Sequence, residues 1–167
     1  MVTSTIKGEG KTFVSFNLGL TLANTGAKVV IVGGDLRNPQ IHRYVPDSQY
    51  KNGVVEYLVH QDTEIMDYVV PSGLHENLSL VFSGTIPPNP AELWMLDRVG
   101  SMFNNLKENF DYVIIDTAPA MLVADTFLLR DYVDTTIYVA RAGFTQKHLL
   151  GFAEESIRYK KMENVAF

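Results

Sequence analysis

Gly8-Glu9-Gly10-Lys11-Thr12 sets two glycines, a lysine and a hydroxyl side chain on consecutive positions. Those residue types suit the holding of a phosphate chain and its metal. Glycine lets backbone N–H groups turn inward and approach phosphate oxygens closely. A helix starting near Lys11 adds the partial positive charge of its N-terminus. The Lys11 ammonium can then reach β- and γ-phosphates, and the Thr12 hydroxyl is of the type that ligates Mg²⁺. The spacing departs from the full P-loop pattern GxxxxGK[ST], because Thr5 stands where the first glycine belongs. The bland alternative is a glycine turn that caps a helix beside a solvated lysine.

Two acidic strand ends add to the loop. FDYVIIDTAP, residues 110–119, reads as a buried strand ending in Asp116. At the C-terminal edge of a parallel sheet, where ligands bind, that carboxylate faces the same crevice as the loop and suits a hydrated Mg²⁺. Capping of the next helix is its other reading. KVVIVGGDLRNP, residues 28–39, delivers Asp35 and Arg37 to a second strand end. A metal- or nucleotide-side role and a plain surface ion pair are the two readings there.

These groups need a frame. Residues 29–32, 78–82, 112–115 and 136–140 are short and rich in β-branched side chains, as strands covered on both faces are. Helical segments are expected at 11–25, 53–60, 90–109, 120–131 and 145–161. Asn89-Pro90-Ala91-Glu92 opens one of them with a cap, an N1 proline and a glutamate three residues after the cap. The alternation predicts an α/β domain with a doubly wound, mostly parallel sheet flanked by helices. In the helix after the loop, Phe13, Phe16, Leu20 and Ala23 follow core spacing. Trp94 is expected in packing or a subunit contact, and Asp125 caps or pairs locally.

Composition sets outer limits. A chain of 167 residues suits one domain, taken as 1–167, with 46% hydrophobic and 20% charged residues. The net charge of −5 and the single basic cluster, Arg158 to Lys161 at a helix end, speak against nucleic acid. There is no cysteine, and no apolar run approaches the roughly 18 residues of a membrane span. The four histidines lack ligand spacing for zinc. Both ends look cut, with Met1 to Ser4 the tail of one strand and Asn164 to Phe167 the start of another.

The order GEGKT, VVIVGGDLRNP, SGTIPPNPAELW, FDYVIIDTAP, VARAGFTQKHL resembles the cytoplasmic kinase domain of bacterial tyrosine kinases. These are autophosphorylating enzymes of capsule and exopolysaccharide biosynthesis, and the resemblance runs from Thr3 to about Tyr159. It implies a P-loop NTPase fold using ATP, ADP and Mg²⁺. It gives Lys11 and Thr12 to the Walker A motif, Asp35 to Walker A′ and Asp116 to Walker B. Lys11, Asp35 and Asp116 become the catalytic residues, and Thr12, Asp35 and Asp116 the metal side. Gly8, Glu9, Gly10, Lys11, Thr12 and Phe13 surround the nucleotide. Arg141 lies near its base or, on the plainer reading, in solvent. The resemblance further implies self-assembly as a ring or dimer that offers a tyrosine tail to the neighbour. It also implies a membrane-anchored chain-length or export segment as partner, and a cytoplasmic domain whose parent is anchored in the inner membrane.

Two positions depart from the pattern. Partition-type relatives carry a signature lysine where Ile6 stands, which favours the kinase branch. The kinases typically end the A′ strand Asp-x-Asp, and here the first of these is Gly33. A degenerate or regulatory nucleotide-binding ATPase module without efficient transfer is therefore the rival, and Gly33→Asp is the substitution expected to discriminate. Tyr44, Tyr50 and Tyr159 are the tyrosines expected at the surface.

Overall fold

The computed structural model describes residues 1–45 and 52–167, so Tyr50 lies outside the described residues. The elements run β1 (Val2–Ser4), α1 (Lys11–Ala23), β2 (Val29–Gly33), α2 (Val54–Val59), β3 (Val70–Pro71) and β4 (Leu78–Val81). They continue with α3 (Pro90–Trp94), α4 (Arg98–Asn109), β5 (Tyr112–Asp116), α5 (Asp125–Leu128), β6 (Thr136–Val139), α6 (Lys147–Arg158) and β7 (Val165–Ala166). Among the described residues, seven strands form one sheet in the order β3-β4-β2-β5-β1-β6-β7. Every pairing is parallel except β3 with β4. This is the expected doubly wound sheet, with β1, β2 and β5 ending side by side.

The strand sequences explain the layers. Side chains alternate along β2, so Val29 and Ile31 join Phe16 and Ala23 of α1 on one face. Val30 and Val32 join Trp94, Val99, Met102, Phe103 and Leu106 on the other. All four β2 valine and isoleucine side chains are fully buried. Each such burial stabilises by roughly 1.5–3 kcal/mol. Trp94 is a core residue at 2% exposure, which decides the reading its sequence position left open.

The structure corrects several boundaries. The helix expected over 90–109 breaks at Met95 to Asp97 into α3 and α4. Trp94 and Val99 both enter the core, and five positions apart they cannot share one straight helical stripe. The helix expected over 120–131 shrinks to α5 and a short 3₁₀ turn, Arg130–Tyr132. Residues 117–120 instead run on beside β1, with Thr117 N–H donating to Val2 O and Ala120 N–H to Ser4 O. The edge strand β3 is too short to carry a sequence pattern. Phe13, read as core by spacing, is 59% exposed.

Close packing of α1 on the sheet aims its N-terminus. Gly19 faces β2, and a Cβ there would lie 2.9 Å from Ile31 Cδ1 and 3.2 Å from Leu78 Cδ1. Gly19→Val is expected to lift α1 and cost roughly 1–3 kcal/mol, as overpacking does. Urea unfolding measures it, and an unchanged midpoint would show that the helix seat is loose.

Candidate functional site

Gly8 and Gly10 both adopt left-handed backbone, with φ of 86° and 101°. For Gly10 the conformation itself demands glycine, since a Cβ there would meet nothing within 4 Å. Gly10 is also the N-cap of α1, and no side chain accepts from the first-turn N–H groups. A helix of 13 residues thus opens with uncapped donors on a glycine-rich loop, an arrangement whose partial positive charge suits an anion. Those donors border a cleft of about 220 Å³ lined by Lys7, Gly8, Gly10, Lys11, Thr12, Phe13 and Asp35. Asn38, Gln40, Arg43, Tyr44, Thr117 and Pro119 complete the wall. A larger hollow of about 620 Å³ sits by Met1 and the start of β5, but its lining is mainly apolar and brings no phosphate-binding set together.

Asp116 stands behind Thr12. The Thr12 hydroxyl donates to Asp116 Oδ2 at 2.7 Å and the Ser15 hydroxyl to Oδ1 at 3.2 Å. Both donors lie on the inner face of α1, so the helix start and the β5 tip are tied directly. Burial pushes the Asp116 carboxyl up to about 6, against the two hydroxyl hydrogen bonds and the Lys11 charge. Asp35 is also raised, first by burial, while the N–H groups of Asn38 at 2.9 Å and Arg37 at 3.2 Å oppose the shift. Lys11 is lowered by its own desolvation, with Asp116, Asp35 and Glu9 pulling it back. One ammonium and two carboxylates therefore share a poorly hydrated space, where added charges interact strongly.

Other expected site residues take different positions. The Glu9 side chain is 3% exposed and turned away from the cleft. It accepts from Ile6 N–H at 2.7 Å and from the Thr145 hydroxyl. Only the Glu9 backbone is left to a ligand, so its carboxylate shapes the loop. Arg141 Nη1 donates to Gly8 O at 3.1 Å, and its guanidinium lies 5.2 Å from the Phe144 ring centre. It is exposed beside the loop and does not line the cleft. Arg37 makes a bidentate pair with Asp125, at 2.7 and 3.0 Å, which settles both residues' local partners. Sequence reasoning missed Ser15, although its position, four residues after Lys11 and three after Thr12, puts it on the same helix face. It also missed Thr145, which lies within VARAGFTQKHL without being singled out, and Gln40 and Arg43, which lie in none of the stretches quoted.

The position of Gly33 is filled. A Cβ on it would lie 2.5 Å from Ser83 Oγ and 2.7 Å from Ser83 N. An aspartate there must push the ends of β2 and β4 apart, so Gly33→Asp tests packing as much as chemistry and is a poor discriminator.

A family model described as an AAA domain matches residues 2–144. The tyrosine-protein kinase CpsD of Streptococcus pneumoniae is 32% identical over 156 residues, spanning 93% of this chain and 68% of that protein. The chain belongs to this AAA-domain family, among its tyrosine-protein kinases. A kinase described as putative, from the cps region of Klebsiella pneumoniae, is 35% identical over 141 residues, 84% of this chain but 19% of that protein. The solved kinase domain of the Escherichia coli tyrosine kinase ETK superposes with a TM-score of 0.88 at 29% identity, covering 99% of this chain and 63% of that one. The chain thus spans between a fifth and about two thirds of these relatives.

In this kinase-family domain the oxygen donors Thr12, Asp35 and Asp116 fit a hard cation such as Mg²⁺. Among the described residues no three His, Cys, Asp or Glu side chains form a cage.

The raised Asp116 carboxyl carries a pH signature in protein free of metal and nucleotide. Its folded value, about 6, exceeds the ordinary 3.8, so the folded state holds its proton where the unfolded chain has released it. The stability linked to that proton is present below about pH 4 and is lost as pH rises through about 6. Asp116→Asn removes the charge, and its stability relative to wild type is expected to improve by roughly 1–3 kcal/mol between about pH 4 and pH 7. Urea unfolding across that range decides it. A difference that does not change with pH would show Asp116 ionised throughout.

Proposed function

We propose that this domain is an ATP- and Mg²⁺-dependent protein-tyrosine kinase module that transfers a γ-phosphoryl group to a tyrosine hydroxyl in capsule or exopolysaccharide biosynthesis. The observation that carries it is the Thr12–Asp116 hydrogen bond beneath an uncapped helix start, with Lys11 in the same desolvated space. Backbone N–H groups of residues 8–12 and the Lys11 ammonium hold the β- and γ-phosphates. Thr12, Asp35 and Asp116 are the oxygen donors that would hold a hydrated Mg²⁺. When bound, Mg²⁺ supplies charge neutralisation between the phosphates.

The acceptor is a weak acid, with a phenol pKa near ~10, and must lose its proton during attack. Asp35 is the carboxylate that lines the cleft, and burial raises its basicity. In the transfer the tyrosine oxygen forms a bond to phosphorus, the bond to the β-phosphate oxygen breaks, and Asp35 takes the phenolic proton. Positioning and charge stabilisation supply most of the acceleration in such reactions. The parent protein is proposed to lie at the inner membrane, to work with a membrane-anchored export segment, and to present tyrosines between copies in a ring or dimer. No helix among the described residues is long and apolar enough to cross a membrane.

One observation favours a second reading. With Gly33 packed against Ser83, the A′ strand offers a single carboxylate, Asp35, to metal and acceptor. A nucleotide-binding module that controls assembly with inefficient transfer has the same cleft.

Incubation of the full-length protein with γ-labelled ATP tests the first reading. Wild type is expected to label on tyrosine, and Lys11→Met to lose labelling by about 100-fold or more. Unchanged labelling in Lys11→Met removes the phosphate-loop assignment. Tight binding of ADP without labelled tyrosine in the wild type selects the second reading.

A further inference from the structure

Two carboxylates can serve one metal only if their separation is held. Asp35 and Asp116 belong to neighbouring strands, and each sits at or past the last paired residue, Gly33 opposite Asp116. Past that pair one further backbone bond joins the two strand ends, Gly34 N–H to Asp116 O at 2.8 Å, and Asp35 lies one residue beyond it. Residues further along the chain reach both strand ends from outside the cleft. Asp125, the first residue of α5, has a side chain only 5% exposed and grips Arg37 through both oxygens. Arg37 in turn donates its backbone N–H to Asp35 Oδ1, as does Asn38. The adjacent Thr126 is fully buried, and its hydroxyl donates to Ala118 O at 2.8 Å, two residues past Asp116. Thr3 of β1 donates to the same carbonyl at 3.0 Å.

We propose that Asp125 and Thr126 form a brace that sets the spacing of Asp35 and Asp116, making Asp125 a positioning residue for the divalent metal. A bidentate carboxylate–guanidinium contact fixes both distance and plane, which a single hydrogen bond cannot do. The anchor on one side is a buried acid, and on the other a buried hydroxyl one residue along, so the two grips move as one body. Asp125 touches neither cleft nor phosphate, and its effect is confined to the metal. The inference rests on the nucleotide reading above. Residues that orient metal-side ligands from behind typically alter metal affinity by about 10–100-fold when removed.

Titration of a fluorescent ADP into the full-length protein, once with Mg²⁺ and once with EDTA, isolates the brace. Asp125→Asn and Arg37→Met are expected to bind ADP within about twofold of wild type in EDTA, yet to need about tenfold more Mg²⁺ for the tight state. The double variant is expected to match the single ones, because the pair acts as a unit. Arg37→Lys, which keeps the charge but not the fork, is expected to fall between. Arg37 has a side chain 42% exposed, so its variants report even if Asp125→Asn does not fold. A Mg²⁺ requirement unchanged in the Arg37 variants overturns the proposal, as does an equal loss of ADP binding with and without Mg²⁺. Failure of the wild type to bind ADP at all refutes the underlying nucleotide reading instead.

Discussion

A carboxylate buried at the end of a central strand is an unfavourable thing to build. Asp116 is 3% exposed, and in the folded chain its charge is answered by two hydroxyls and one neighbouring ammonium. Much of the domain follows from that constraint. The β5 tip must meet the inner face of α1, so α1 must lie close to the sheet, which Gly19 permits. The helix must start at Lys11 without a side-chain cap, leaving its donors to the cleft. The sheet must be wound from both sides for β1, β2 and β5 to end together. An apolar residue in place of Asp116 would avoid the cost of burying that charge.

Much of this was readable in the linear chain. Glycines at 8 and 10 followed by Lys11 and Thr12 point to a strand–loop–helix turn with inward-facing amides, and the structure has that turn between β1 and α1. VVIVG is apolar throughout and YVIID apolar between Tyr112 and Asp116, so both strands were visible, one ending on its acid and the other two residues short of Asp35. Family membership was legible for the same reason, since the order of five separate stretches is hard to reach by chance.

What could not be read was tertiary in origin. Ser15 has a spacing that fits, but nothing marks a helical serine as a partner for a strand 101 residues away. Glu9 has the composition of a ligand-facing residue and turns inward because Ile6 and Thr145 offer it better donors than water. Phe13 obeys the periodicity of a core position, yet it stands in the first turn, above the sheet edge where no layer covers it. The split between α3 and α4 lets Trp94 and Val99, five positions apart, both face the core, which a cap-and-proline signal cannot foresee. Gly33 looked like a lost acid, and only the proximity of Ser83 shows that the surrounding backbone has closed around the loss.

The inward-facing Glu9 changes where entropy is spent. Its carboxylate, the Thr145 hydroxyl, the Arg141 guanidinium on Gly8 O and the Phe144 ring 3.2 Å from the Cβ position of Gly8 clamp the glycine loop from behind. A loop of this composition, left alone, would wander among many conformers and have to be ordered by each arriving ligand. Here these contacts order the loop during folding, which lowers the conformational cost left to any ligand.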